Sequence, residues 1–481
     1  MKYTVIGNGI IALTAAFRLT QKMSEHDELV VIGPSDRVGS ASCAAAAMLN
    51  SFAEIGEGSL KTGTSLLHFE LSHRATQEWP GFERELIAAA GINLPKGCKD
   101  CQVETGGCFD KGTYILNNTA SDDLDDKNFN AIVTALEDFN EQYEFVDPLG
   151  IPNYYPAQHK RASRALYIHN EGWLNPRLVL EKLDRILLAD SRVEVIDGAV
   201  SKLVEVNGRI SQIFIDNGSV LESDIVLVAN GASSGDLLAA SGLNLPIQKI
   251  FYGVGVSLQI QSPGYPHEKC IRTPNRGGAC GVYTAPLFLG PDQPKDHVVV
   301  GASNYLSPVP VYNGRLISIE HLMNSAIEEI NGYFYNAQMI RCNVGWRPTT
   351  QDMYPLLGRT SIENLYCATG TKRDGFHLSP VISSYISDMM LGKDVDVRLD
   401  VFSPERSVIR ELDRESAIRL IVDSLMSEQY QHGYVPSNVR MNAQVRENYR
   451  QDIEQLHDKI GAVDWGIPSE LVNMYRRGYV E

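Results

Sequence analysis

The chain has 481 residues, 43% of them hydrophobic and 21% charged, and a formal net charge of −16 at pH 7. That length exceeds one simple core and suits two or three domains. The acidic balance disfavours nucleic acid and anionic membranes as partners, and no apolar run reaches the ~18 residues of a membrane span.

The opening stretch is apolar, with Lys2 its only charge before Arg18, but Gly7 and Gly9 interrupt it. It reads as strand, glycine turn and helix rather than as a signal peptide, so a cytoplasmic location is expected. Residues 3–6 read as a buried strand, 10–22 as a helix and 28–32 as a second strand, the β-α-β opening of a mononucleotide-binding unit. Within it, Gly7-Asn8-Gly9-Ile10-Ile11-Ala12 fits G-x-G-x-x-G/A. Gly7 permits the tight turn, Gly9 lets backbone approach a pyrophosphate, and Ala12 lets the helix pack closely. Ile10 begins a helix whose free amides and positive dipole end suit phosphate. An acidic residue at the end of the second strand ordinarily holds the adenosine ribose. Gly33 stands there instead, which leaves Ser35, Asp36 or backbone to hold it. The small-residue stretch 39–48, with Ser40, Ala41, Ser42, Ala46 and Met48, would let backbone come close to a flat ring and its phosphate tail.

Residues 64–91 read as helix, and 96–126 as an irregular segment ending in the acidic run Asp122–Asp126, a solvated loop. Cys98, Cys101 and Cys108 cluster there. A zinc site or redox pair is the sharp reading, but no second pair or nearby His completes four ligands, so free thiols and no metal are expected. Helices are expected at 129–144 and, after Pro176, at 177–189, and strands at 193–196, 199–206, 210–215 and 225–229. Val200 opens one of these strands, and Ala229 and Gly231 stand where another runs into a glycine turn, all three as candidate cofactor contacts. Residues 246–303 alternate as β-structure, 315–332 read as helix, 341–391 as short strands, turns and a closing helix, and 404–430 and 442–460 as charged helices of an appendage.

Two further motifs lie late in the chain. One is Gly345-Trp346-Arg347-Pro348-Thr349-Thr350-Gln351-Asp352 followed by Pro355-Leu356-Leu357-Gly358; the other is the strand, turn and helix from Leu365 through Gly370, Arg373 and Gly375 to Pro380. Taken with the N-terminal motif and the turn at 225–231, these resemble the D-amino-acid oxidase superfamily of FAD-dependent oxidoreductases, within it the glycine oxidase and sarcosine oxidase branch. The resemblance covers roughly residues 1–392, and the pattern G-x-R-P-x-T-x-D-x-x-P-x-x-G matches 345–358 at every fixed position.

The resemblance implies an α/β (α+β overall) architecture: a Rossmann-like FAD-binding domain from 1–59, 172–245 and 341–400, an inserted mixed β-sheet substrate domain from 60–171 and 246–340, and a helical extension over 401–481. It implies an FAD lying extended with its ring between the two domains, contacted also by Gly345, Gly370, Gly375, Phe376, His377 and Leu378. The amides of the last helix would face the flavin pyrimidine edge. His377 either touches the flavin or fills space. Trp346 and Arg347 occupy the neighbourhood where the sarcosine branch attaches flavin through a Cys, so non-covalent FAD is expected, with Cys342 the nearest thiol. Arg347 is expected to clamp a substrate carboxylate, for which a planar guanidinium suits better than an ammonium; a salt bridge near a turn is the bland reading. Arg373 would lie near the substrate or face solvent, and Tyr283 would lie over the substrate or pack against neighbours.

The expected reaction is oxidation of a C–N bond in a small amino acid or secondary amine acid by hydride transfer to flavin, giving an imine and, with dioxygen, hydrogen peroxide. A dehydrogenase of a 2-hydroxy acid or specialised biosynthetic substrate, or an FAD-bearing subunit of a larger complex, are the alternatives. Assembly into homo-oligomers stays open.

Overall fold

The structure is a computed structural model and describes residues 1–91, 109–277, 279–287 and 296–480. Cys98, Cys101 and Cys108 lie outside these residues.

Six strands form the first sheet, in the order Leu356–Arg359, Leu365–Thr369, Ile225–Val228, Lys2–Ile6, Glu28–Ile32 and Val193–Ile196. All neighbours are parallel except the first pair. Side chains alternate along a strand, and the alternation divides two cores here. Tyr3, Val5, Leu29 and Val31 face the helices Ile10–Lys22, Pro176–Ala189 and Gly375–Met390. Ile6, Val30, Ile32, Val226 and Val228 face a three-stranded antiparallel sheet through Leu203, Ile210 and Ile213. Burial on both faces is why these strands read as unbroken apolar runs. Asn175 caps the helix after it, accepting from the amides of Arg177 (3.1 Å) and Leu178 (3.3 Å), with Pro176 at the first helical position.

The second sheet runs Tyr305–Ser307, Ile250–Gln261, His297–Ser303, Ala279–Pro286, Cys270–Arg272, Phe109–Asn117, Arg164–Leu174 and Met48–Leu49. The long strand Gln338–Thr350 pairs with Ile250–Gln261, so Arg347 stands opposite Gly253. Residues 341–350 therefore belong to this sheet by hydrogen bonding, and the chain crosses to the first sheet only beyond them.

The acidic run is not a solvated loop. A helix begins at Asp123, and the fully buried Asp125 receives Arg276 Nε at 2.9 Å and Nη2 at 3.1 Å. Acidic groups also suit a helix's first turn. The helix ends at Asp138, and Tyr143 and Glu144, expected as its last residues, open an edge strand, Tyr143–Val146.

The extension packs its helices Arg414–Gln431 and Val439–Ile460 on one another and on Phe251 of the second sheet, through Ile418, Ile421, Met426, Ile453 and Tyr475. Ion pairs Arg446–Asp122 (2.5 Å) and Arg419–Glu57 (2.8 Å) fasten its rim. Asp352, the acidic position of the late motif, is buried and paired with Arg406 at 2.8 Å, so it ties that motif to the segment leading into the extension. Among the described residues, no helix is long and apolar enough to cross a membrane.

Candidate functional site

A cavity of about 480 Å³ runs along the carboxyl ends of the first sheet's central strands and on to the second sheet. At one end lies the first turn. Gly7 has φ +124, and a Cβ there would sit 2.4 Å from Ala229 O, so no other residue fits without moving backbone. Gly9 begins the helix with no side-chain cap, and Ile10 N donates to Ser42 Oγ at 3.0 Å. Ala12 is fully buried beneath the turn and does not line the cavity. A tight turn, an uncapped helix start and a glycine-lined approach fit a pyrophosphate.

The side chains after the second strand make contacts of their own. Ser35 gives both its amide and its hydroxyl to Asp197, at 2.8 and 3.0 Å, and Asp36 accepts from Val38 N at 3.2 Å. Neither lines the cavity. Asn8 and Arg37 do, and Arg37 is held by Asn8 O (3.1 Å) and Asp184 (2.6 Å). Gly33 must be small because a Cβ would lie 2.5 Å from Asn8 Cγ. Val200, Ala229 and Gly231 line this end of the cavity.

Ser40, Ala41, Ser42, Ala46 and Met48 line the middle. Their small size has a second cause. A Cβ on Gly345 would lie 2.7 Å from Ala44 Cβ and 3.0 Å from Ala41 Cα, and Trp346 N donates to Gly39 O at 2.8 Å. The stretch is pressed against the strand that carries Arg347.

Gly375 and Phe376, at the uncapped start of the last helix, also line the cavity. Gly370, Leu378 and His377 do not. His377 lies between two helices, with Nδ1 3.2 Å from Ser72 Oγ, Nε2 2.7 Å from Thr76 Oγ1 and its carbonyl accepting from Trp79 Nε1 at 2.9 Å. Burial pushes the imidazole down to about 3, so it is neutral.

At the far end Arg347, Arg373, Tyr283, Cys280 and Glu54 converge. The Arg347 guanidinium lies across Gly255, where a Cβ would come within 2.4 Å of its Cζ. Its Nη1 donates to Ser303 O and Asn304 Oδ1, both at 3.1 Å. Among the described residues no carboxylate pairs with it, so the turn salt bridge is absent there. Tyr283 is buried against Gly301, and burial raises its phenol, against the pull of Arg347. Arg373 Nη1 stands 3.6 Å from Glu54, which also receives the fully buried Arg272 at 2.6 Å. Burial would raise Glu54, but Arg272 and Arg373 hold it at about 2, so it is a fixed anion. Lys372, beside Arg373, pairs with Glu470 at 2.5 Å. Glu54, Cys280, Asn304, Lys372, Arg37 and Glu470 carried no local signal; each takes its place through partners far away in the chain.

A mainly parallel sheet whose glycine turn and helix start open onto an arginine-bearing chamber fits a dinucleotide-dependent oxidoreductase. Comparison with known proteins makes this specific. Residues 2–389 match the family model for FAD dependent oxidoreductases (DAO), and the chain belongs to that family. It is 26% identical over 421 residues to the glycine oxidase of Pseudomonas putida, spanning 83% of this chain and 97% of that protein. It is 28% identical over 245 residues to the tRNA 5-methylaminomethyl-2-thiouridine biosynthesis bifunctional protein of Idiomarina loihiensis; that match takes 48% of this chain and only 35% of that protein's length. The iminodiacetate oxidase of Chelativorans shares the fold at a TM-score of 0.67 and 19% identity, over 85% of this chain and all of that one. The protein is an FAD-dependent oxidoreductase.

Proposed function

We propose that the protein oxidises the C–N bond of a small amine carrying a carboxylate, with dioxygen as the second substrate. The observation that carries this is Arg347: a guanidinium in the cavity wall, held by two neutral oxygens and paired with no described carboxylate. A planar fork with free N–H groups is suited to bidentate capture of a carboxylate. The neighbouring cations Arg373 and Arg272 are already engaged by Glu54, which keeps the recognition at Arg347.

When bound, FAD would supply a two-electron acceptor for the hydride lost from the substrate α-carbon, with dioxygen, reduced to hydrogen peroxide, as the final acceptor. The imine that leaves hydrolyses to an oxo acid and ammonia or an amine. The protein's part is positioning and charge. The amine reacts unprotonated, its lone pair expelling hydride from the α-carbon. Tyr283, neutral and buried, closes the chamber beside Arg347 and excludes water. Asn8, Arg37, Ser42 and the helix starts at Ile10 and Gly375 would hold the dinucleotide. Attachment is non-covalent in this reading, supported by Cys342 standing outside the cavity, half-buried beside Gly314.

The test is anaerobic addition of carboxylated amines, their esters and 2-hydroxy acids to the FAD-loaded protein. Bleaching of the flavin band at far lower concentrations of a carboxylated amine than of its ester, with peroxide released on admitting air, is the expected result. Bleaching only by a 2-hydroxy acid would overturn the C–N reading, and turnover without peroxide would replace dioxygen by another acceptor.

A further inference from the structure

The extension beyond residue 400 lies outside the family-matched segment, yet one of its side chains pairs with Lys372, which lines the cavity beside Arg373. Glu470, in a short turn of helix at Ser469–Leu471, is anchored by the fully buried Leu471 within the extension's apolar cluster. Its two carboxylate oxygens serve different partners. Oε1 pairs with Lys372 Nζ at 2.5 Å, and Oε2 accepts from Asn304 Nδ2 at 2.6 Å.

Each contact has a consequence for Arg347. A carboxylate can only accept, so the amide nitrogen of Asn304 must face Glu470 and its oxygen must face away. That oxygen is the one receiving Arg347 Nη1 at 3.1 Å. The chain carboxylate, amide, guanidinium thus fixes both the direction of the amide and the tilt of the fork. The second contact concerns charge. Lys372 lines the cavity, with its backbone amide bonded to Pro348 O at 2.9 Å, one residue from Arg347. An untethered ammonium there would be a rival for any carboxylate bound at Arg347. Glu470 is a dependable partner: burial opposes its charge, but Lys372 and Arg373 hold it at about 2.

We propose that Glu470 is a positioning residue supplied by the extension, orienting Arg347 through Asn304 and drawing Lys372 away, so that a substrate carboxylate meets one preset guanidinium. The proposal rests on Arg347 being the carboxylate clamp.

The experiment titrates acetate into the full-length, FAD-loaded protein and reads the perturbation of the flavin absorption band, which needs neither turnover nor the true substrate. Glu470→Gln should retain FAD and its unfolding midpoint yet weaken acetate about tenfold, the scale of a lost charge-assisted contact. Glu470→Asp should recover most of the affinity. Asn304→Ala should weaken acetate similarly, and the double variant Glu470→Gln/Asn304→Ala no more than the stronger single, because both act through one chain. Arg347→Ala should abolish the response. If Glu470→Gln and Asn304→Ala bind acetate as the wild type does while Arg347→Ala does not, the clamp stands and the role of Glu470 falls. If Arg347→Ala also binds normally, both fall.

Discussion

Replacing Arg347 by Ala removes the one cavity guanidinium that no described carboxylate engages. Two losses follow, and they separate. The substrate carboxylate loses a charged, bidentate partner, a loss of about 2–4 kcal/mol, or about 30- to 700-fold in affinity at 25 °C. Ser303 O and Asn304 Oδ1 lose a shared donor, a folding cost of about 1–2 kcal/mol. FAD content should therefore be retained while KM for a carboxylated amine rises by that factor and KM for its methyl ester barely moves. Gly255→Ala is the independent check. Its Cβ would come 2.4 Å from Arg347 Cζ, displacing the fork without removing its charge, and should raise the same KM by about tenfold. Steady-state kinetics on acid and ester measure both. An unchanged KM for the acid in Arg347→Ala refutes the reasoning, whatever Gly255→Ala does.

Three further outcomes are expected. Gly7→Ala should yield protein that does not retain FAD, because its Cβ meets Ala229 O at 2.4 Å and its φ is +124; a yellow, fully loaded protein after gel filtration would contradict this. His377→Phe should leave the flavin spectrum unchanged and lower stability by about 1–3 kcal/mol, since the Ser72 and Thr76 hydroxyls lose their partner; a shifted flavin band would place the imidazole against the ring after all. The third concerns Glu171. It is buried, and burial pushes its carboxyl up to about 7 from an ordinary 4.5, although the Phe52 and Ala53 amides pull the other way. A raised folded pKa means stability is full below about 4.5 and falls as pH rises through about 7. That loss, about 3 kcal/mol, should be missing from Glu171→Gln, and parallel urea-midpoint curves for the two proteins would exclude it.

What could be read in advance was what neighbours in sequence determine. Gly7 and Gly9 declare their turn because the geometry they permit is local, and Arg347 sits in a motif whose spacing is itself the signal. The strands 28–32 and 225–228 were legible from unbroken apolar runs, which only double burial produces. The failures share one cause. Asp125 looked solvated among its acidic neighbours, but its partner Arg276 lies 151 residues away. Glu54 and Glu470 are single carboxylates in unremarkable surroundings, and only the fold sets them against Arg272, Arg373 and Lys372.

The strand Gln338–Thr350 presses Gly345 and Trp346 against the small-residue stretch that lines the cavity, and its next residue is Arg347, the proposed carboxylate clamp. The proposed cofactor and substrate sites therefore share one strand, and thermodynamic linkage makes their affinities reciprocal. Whatever factor FAD adds to the grip on a carboxylate by bracing this strand, a bound carboxylate must add to the grip on FAD. Carboxylates that are never oxidised would then act as keepers of the cofactor, slowing its escape during dilution or storage.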